Sequence, residues 1–354
     1  MQETQKPKGL KKIWREIKRP FRTLKNAITG DLVSKVDLSH STAALKADLA
    51  QIERRLLDVG KSMPEKEVIR GVREKHALII DYTYTPKHRT SLKESKIGEI
   101  LESWYANNQG EVVELVRKFC SFRELYENIP IDPMDTTPLS SPRWNNGWVS
   151  PLDAISIYGF LAIHNPRYYV EVGSGNSTMF AARSIRDHHL RTKIISIDPH
   201  PRAEINELCH KIYRMPFEDM DINFFTTLTA EDILLVDNSH RSFPNSDVTV
   251  FFTEVLPKLP AGLLYTLHDI YLPCDYPARW SCKQRRWYNE QYLLCAYLLG
   301  GADSEIVHPN AFLATNSEIL SLYYGMGDKM DEVLERVWVK MWDSRTSFFW
   351  LRKG

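Results

Sequence analysis

Long apolar runs are missing from this sequence. Nowhere do about 18 apolar residues follow one another, so nothing reads as a bilayer-spanning helix. Cysteine is scarce, five in 354 residues, an odd number with no CxxC pair, which excludes a disulfide framework. Cys120, Cys209, Cys274, Cys282 and Cys295 read as reduced thiols, most of them small apolar fillers, in a cytoplasmic protein. A dominant charge is missing too: 46 Lys and Arg against 45 Asp and Glu leave +1, so no global bias points to nucleic acid. The N-terminus is charged but lacks an apolar core, which argues against a secretory signal. What is present is a normal globular composition, 43% hydrophobic and 26% charged, at a length that suits one large domain plus a smaller part.

Three regions differ in texture: 1–61, 62–135 and 136–354. Residues 6–28 carry nine Lys and Arg against the single acid Glu16, with Leu10, Ile13, Trp14, Ile17, Phe21, Leu24 and Ile28 at helical spacing. A basic amphipathic helix of this kind suits peripheral contact with an anionic membrane; a solvated tail or a helix docked on its own domain is the competing reading. Residues 41–59 predict a second helix, with Ser41 and Thr42 as caps and Gly60 as stop. Leu38, Leu45, Leu49, Ile52, Leu56 and Val59 repeat as heptad a and d positions, which fits a homo-oligomer and packing within the chain equally. From 62 to 130 the pattern stays helical, and Ile129–Pro142, with four prolines, reads as a linker or a loop over a pocket. Trp144, in Trp-Asn-Asn-Gly-Trp, reads as an exposed ring suited to a polar acceptor, or as a structural cover.

From 168 the texture becomes α/β. Tyr168–Val172, Ile194–Ile197, Ile233–Val236 and Leu263–Leu267 are strand-like, with helices expected near 177–187, 202–210, 247–256 and 286–299. Alternation of this kind implies βαβ units and a doubly wound parallel sheet, with ligands at the strand C-terminal ends.

The chemistry sits at those ends. In Glu171-Val172-Gly173-Ser174-Gly175-Asn176-Ser177-Thr178 a strand-end acid is followed by G-x-G and a helix start, with Ser177 expected as the N-cap. Gly173 and Gly175 permit a sharp turn and close ligand approach. Asp198 ends the second strand, 25 residues past Gly173, where an acid can accept both hydroxyls of a ribose. A dinucleotide site wants a third glycine where this chain has Thr178, and Glu171 suits an ammonium better than a pyrophosphate. Asp237-Asn238-Ser239-His240 and His268-Asp269 end two further apolar strands. Asp237, Asp269, His240 and His268 together suit a hard cation or the deprotonation of a hydroxyl.

These residues resemble the class I S-adenosylmethionine-dependent methyltransferases, in the methyltransferase-24-like branch. The shared wording runs over about 140–300: W-N-x-G at Trp144, V-E-V-G-S-G-N-S-T, S-I-D-P-H-P-R at Ser196, D-N-S-H-R at Asp237, H-D-I-Y-L-P at His268 and Y-N-E-Q-Y-L-L at Tyr288. The resemblance implies a Rossmann-like seven-stranded sheet with a late antiparallel strand, the sixth strand near Glu305–Ala314 and the last near Thr346–Arg352. It implies that Glu171, Gly173, Gly175 and Ser177 hold the methionine end of S-adenosyl-L-methionine, that Asp198 holds the ribose, and that Asp237 also lies in the cofactor site. It further implies a divalent metal such as Mg on Asp237 and Asp269, although His-Asp stands where a doubled acid is usual. His268 is the leading base and His240 the second; Trp144, Arg241, Tyr276 and Trp280 are the expected contacts of a small-molecule or glycan acceptor. Two rival readings are a nucleotide-dependent oxidoreductase on a related fold, against which Thr178 speaks, and a non-catalytic scaffold, against which the intact strand-end residues speak.

Overall fold

Short, mostly apolar stretches, too short for helices and bounded by polar turns, form the central strands. The computed structural model describes residues 84–89, 94–133, 138–201, 203–338 and 346–354. The basic stretch 6–28 and the heptad stretch 41–59 lie outside the described residues.

Strands β1 (Tyr168–Val172), β2 (Lys193–Ile197), β3 (Lys211–Tyr213), β4 (Ile233–Val236), β5 (Leu264–Leu267), β6 (Ser304–Pro309) and β7 (Phe349–Lys353) make one sheet in the order β3-β2-β1-β4-β5-β7-β6. The first five pair in parallel, whereas β7 runs antiparallel to both β5 and β6. The expected late antiparallel strand is therefore present, between β5 and β6. Every residue of β4 and β5 is buried, as strands covered on both faces require.

The compact unit spans Pro86–Gly354, so helix α1 (Lys96–Cys120) belongs with the sheet. Helix α2 (Pro151–His164) is buried from Pro151 to Leu161 on all sides, which is why its sequence shows no polar stripe. Gly159 of α2 is needed there: a Cβ would stand 2.1 Å from the Phe119 ring of α1. Helix α3 (Asn176–Asp187) follows β1, helix α4 (Asp247–Val250) runs on through a wider turn at Phe251–Val255, and helix α5 (Glu290–Leu299) precedes β6.

Several expected boundaries move. The helix expected at 202–210 is one 3-10 turn, Asn206–Leu208, followed by the unpredicted β3, whose residues are only partly covered and carry no apolar run. The sixth strand stops at Pro309 because Asn310–Leu313 turn helical, and α5 starts at Glu290 rather than 286. Among the described residues, no helix is long and apolar enough to cross a membrane.

Candidate active site

The strand order reverses between β1 and β4, and at such a switch point the loops leaving the two strands diverge and open a crevice. Gly173 leaves β1 there with φ +75, and a Cβ on it would stand 1.8 Å from the Asp237 carbonyl oxygen at the end of β4. Only glycine allows this approach. Gly175 meets open space instead. It also takes the N-cap position of α3, so Ser177, expected there, lies one residue inside the first turn and is buried.

Thr178 explains the loop's missing third glycine. Its hydroxyl accepts from the Gly175 N–H at 2.9 Å and donates to Glu171. Glu171 is fully buried below the loop and also accepts from the Tyr169 hydroxyl at 3.2 Å. Burial pushes its carboxyl up to about 8, against the hydroxyls of Ser177, Thr178 and Tyr169. The geometry thus makes Glu171 the residue that shapes the loop from beneath. Asp198 accepts from the Ser174 N–H at 2.8 Å and the His200 N–H at 2.7 Å, which fixes its carboxylate at the crevice edge. Sequence reading missed Arg214, which donates to the Asp198 carbonyl at 3.2 Å and also reaches Asn206.

The ends of β4 and β5 bring the expected pairs together. His240 Nε2 stands 3.1 Å from Asp237 Oδ1 and 3.3 Å from Asp269 Oδ2. Its Nδ1 stands 2.9 Å from Glu290 Oε2, a buried carboxylate at the start of α5 that was not singled out from sequence. Asn238 donates to the other oxygen of Glu290 at 3.0 Å. His268 Nδ1 stands 3.1 Å from Asp237 Oδ1, and its ring packs against Phe348 at 4.6 Å. Its Nε2 meets no partner among the described residues. His240 and Asp269 hold left-handed backbone (φ 60 and 55), a conformation costing about 1 kcal/mol or more in non-glycine residues. Such outliers gather where a site dictates side-chain direction.

Charge orders this cluster. Burial alone would depress His240, yet Asp269, Asp237 and Glu290 around it hold it well above the usual histidine range. Burial likewise opposes the shift of His268, which Asp237 and Asp269 carry up to about 9. Burial would raise Asp237, but His268 and His240 hold it well below the usual carboxylate range. Glu290 is raised by its own burial, against the bonds from His240 and Asn238.

The four expected acceptor contacts divide. Trp144 is 1% exposed and packs against Tyr126 and Phe180, so of its two sequence readings the structural cover holds and the exposed acceptor contact does not. Tyr276 is buried as well, its hydroxyl accepting from the Gln291 N–H at 3.1 Å. Arg241 and Trp280 are half-buried around Tyr288, which packs on His240, and Arg286 joins them; neither Tyr288 nor Arg286 is singled out by the sequence as an acceptor contact.

Residues 170–270 match the family model of a methyltransferase domain. A curated, uncharacterized protein of Archaeoglobus fulgidus is 30% identical over 100 residues, 27% of this chain, and the match spans 45% of that protein's length. Among solved structures, the chain is similar to the O-methyltransferase TomG from Streptomyces achromogenes in complex with SAM, with 12% identity over 72% of this chain and 98% of that one, TM-score 0.34. It is also similar to the plantazolicin methyltransferase BpumL in complex with SAH, with 13% identity over 70% and 98%, TM-score 0.37. The family match runs from β1 to the end of β5, so the stretch of this chain similar to a methyltransferase domain is the one that carries the strand-end residues described above.

Proposed function

We propose that the chain is an S-adenosylmethionine-dependent O-methyltransferase whose acceptor is a polar small molecule or glycan hydroxyl. The observation that carries this reading is the contact of Gly173 with Asp237. The β1 loop thereby lies directly against the strand end that carries the histidine–carboxylate cluster, which supports the reading. In the reading, Gly173, Gly175 and the first turn of α3 receive the methionine end, Asp198 the ribose, and Glu171 keeps the loop in shape.

Methyl transfer is an in-line displacement. The acceptor oxygen forms a bond to the methyl carbon, the carbon–sulfur bond breaks, and sulfur keeps the electron pair. The hydroxyl proton must leave as the oxygen attacks. His268 suits that role, because Asp237 orients its Nδ1 and leaves Nε2 open. His240 has carboxylates on both nitrogens and suits positioning instead. Alignment of acceptor and cofactor supplies the remaining acceleration.

The divalent cation that the resemblance implies fits these residues. Asp237, His240 and His268 can bring ligand atoms within 4.8 Å of one another, Asp269 lies beside them at 3.3 Å from His240 Nε2, and Glu290 behind His240 gives the carboxylate–histidine pairing common in ligating imidazoles. Such a cation would acidify an acceptor hydroxyl.

Calorimetry with S-adenosylhomocysteine tests the reading: the chain should bind it, and Gly173→Arg should abolish binding. His268→Ala should keep that binding and lower methyl transfer from labelled cofactor by about 10²–10⁴-fold. Because His268 is raised to about 9, transfer by the parent chain should increase as pH rises towards that value. No binding by the parent chain would overturn the reading.

A further inference from the structure

Between Asp275 and Glu290 the sequence holds Arg279, Lys283, Arg285 and Arg286 and no acid. This segment folds against Arg241 at the end of the β4 loop. The Arg286 guanidinium lies 4.2 Å from the Trp280 ring centre and 5.7 Å from that of Tyr288, and the Arg241 guanidinium lies 4.8 Å from Tyr288. Tyr288 in turn stands 4.7 Å from the His240 ring and 5.7 Å from Trp280. The result is a ladder of two guanidinium groups and two aromatic rings that ends on the proposed catalytic cluster.

The donors of this ladder exceed its acceptors. Arg241 spends Nε on the Arg286 carbonyl at 2.9 Å and Nη1 on the Ser239 carbonyl at 3.0 Å. Arg286 spends Nε on Gln284 at 3.0 Å. Nη2 of Arg241 and both terminal nitrogens of Arg286 have no acceptor, and neither guanidinium pairs with a carboxylate among the described residues. Beside them the Trp280 indole N–H and the Arg285 Nε are buried without a partner. The nearby acids do not compensate, since Asp237, Asp269 and Glu290 face His240, His268 and Asn238. Buried donors are nearly always bonded, and guanidinium groups on aromatic faces are suited to the paired oxygens of phosphate or carboxylate.

We propose that this arginine–aromatic ladder binds a phosphate or carboxylate group of the methyl acceptor, so that the acceptor class is an anionic ring compound such as a phosphorylated or acidic sugar. The inference rests on the O-methyltransferase reading and narrows its substrate. Stacked rings hold the two arginines in place, and the anion would anchor the acceptor with a neighbouring hydroxyl towards His268.

The test is titration of the full chain, saturated with S-adenosylhomocysteine, with inorganic phosphate, glucose 6-phosphate, glucuronate and glucose, followed by calorimetry and tryptophan fluorescence. At least one charged probe should bind roughly 10-fold or more tighter than glucose, with the phosphate and carboxylate arms telling which anion is preferred. Arg286→Gln should remove that preference, and Arg286→Lys, which keeps the charge but not the paired geometry, should restore it only in part. Unchanged melting of both variants would show that the fold is intact. Equal binding of glucose and its charged forms, no binding of any charged probe, or full retention in Arg286→Gln would overturn the proposal. Failure of S-adenosylhomocysteine itself to bind would instead count against the methyltransferase reading.

Discussion

Glu171 shows how one residue can set both loop shape and pH behaviour. Its carboxyl is sealed between Tyr169 and Thr178 and pushed up to about 8, against the 4.5 of an unhindered glutamate. The folded state therefore holds this proton more tightly than the unfolded chain. Its contribution favours folding most at low pH and is lost as pH rises from 4.5 through 8. Denaturant titrations across that interval should show stability falling with pH, and Glu171→Gln should flatten the slope; an unchanged slope would place the proton elsewhere. The residue scale is also where sequence reading was most partial. Glu171, Gly173, Asp198, Asp237 and His268 could be found because each sits at a strand end, a position that periodicity reveals. Glu290 could not, because it lies 50 positions from the His240 it holds, and its neighbours in sequence only say that a helix begins. Trp144 leaves the sequence with two readings, exposed ring or structural cover, and only the enclosing Tyr126 and Phe180 decide for the cover.

At the level of elements, Asp153 of α2 ties the helix layer to the sheet. It is 1% exposed and accepts from the backbone N–H groups of Ser347 and Phe348 at 2.9 Å each and from the Asn310 side chain at 2.8 Å. Ser150 and Thr346 also donate to it. Removing the carboxylate strands several buried donors just ahead of β7, each costing about 1–3 kcal/mol. Asp153→Ala should therefore lose about 3 kcal/mol or more in urea unfolding, and a loss below about 1 kcal/mol would mean that water replaces the acid. The central strands are readable because burial on both faces demands mostly apolar stretches, which β1, β4 and β5 have, broken only by Glu171 and Thr266. β3 escaped notice since three partly covered residues at a sheet edge need no such run. The short helix Asn310–Leu313 escaped because an apolar stretch after a strand reads as more strand.

The molecule as a whole divides at Thr85/Pro86. All the groups assigned here to cofactor, proton transfer and acceptor lie in Pro86–Gly354, a unit with its own continuous apolar core. A fragment starting at Pro86 should unfold in one cooperative transition, and S-adenosylhomocysteine should raise its midpoint as much as that of the full chain. A fragment that binds but melts without cooperativity would show that residues 1–85 stabilise the fold. The order of strands carries one more consequence, about time. β1 to β5 can pair as each emerges during synthesis, but β6 touches the sheet only through β7, which follows it by some forty positions. A ribosome paused between Pro309 and Phe349 would leave β5 and β6 as two open edges with nothing between them. That interval is when the nascent chain is most exposed to pairing with a stranger, and when a chaperone has most to protect.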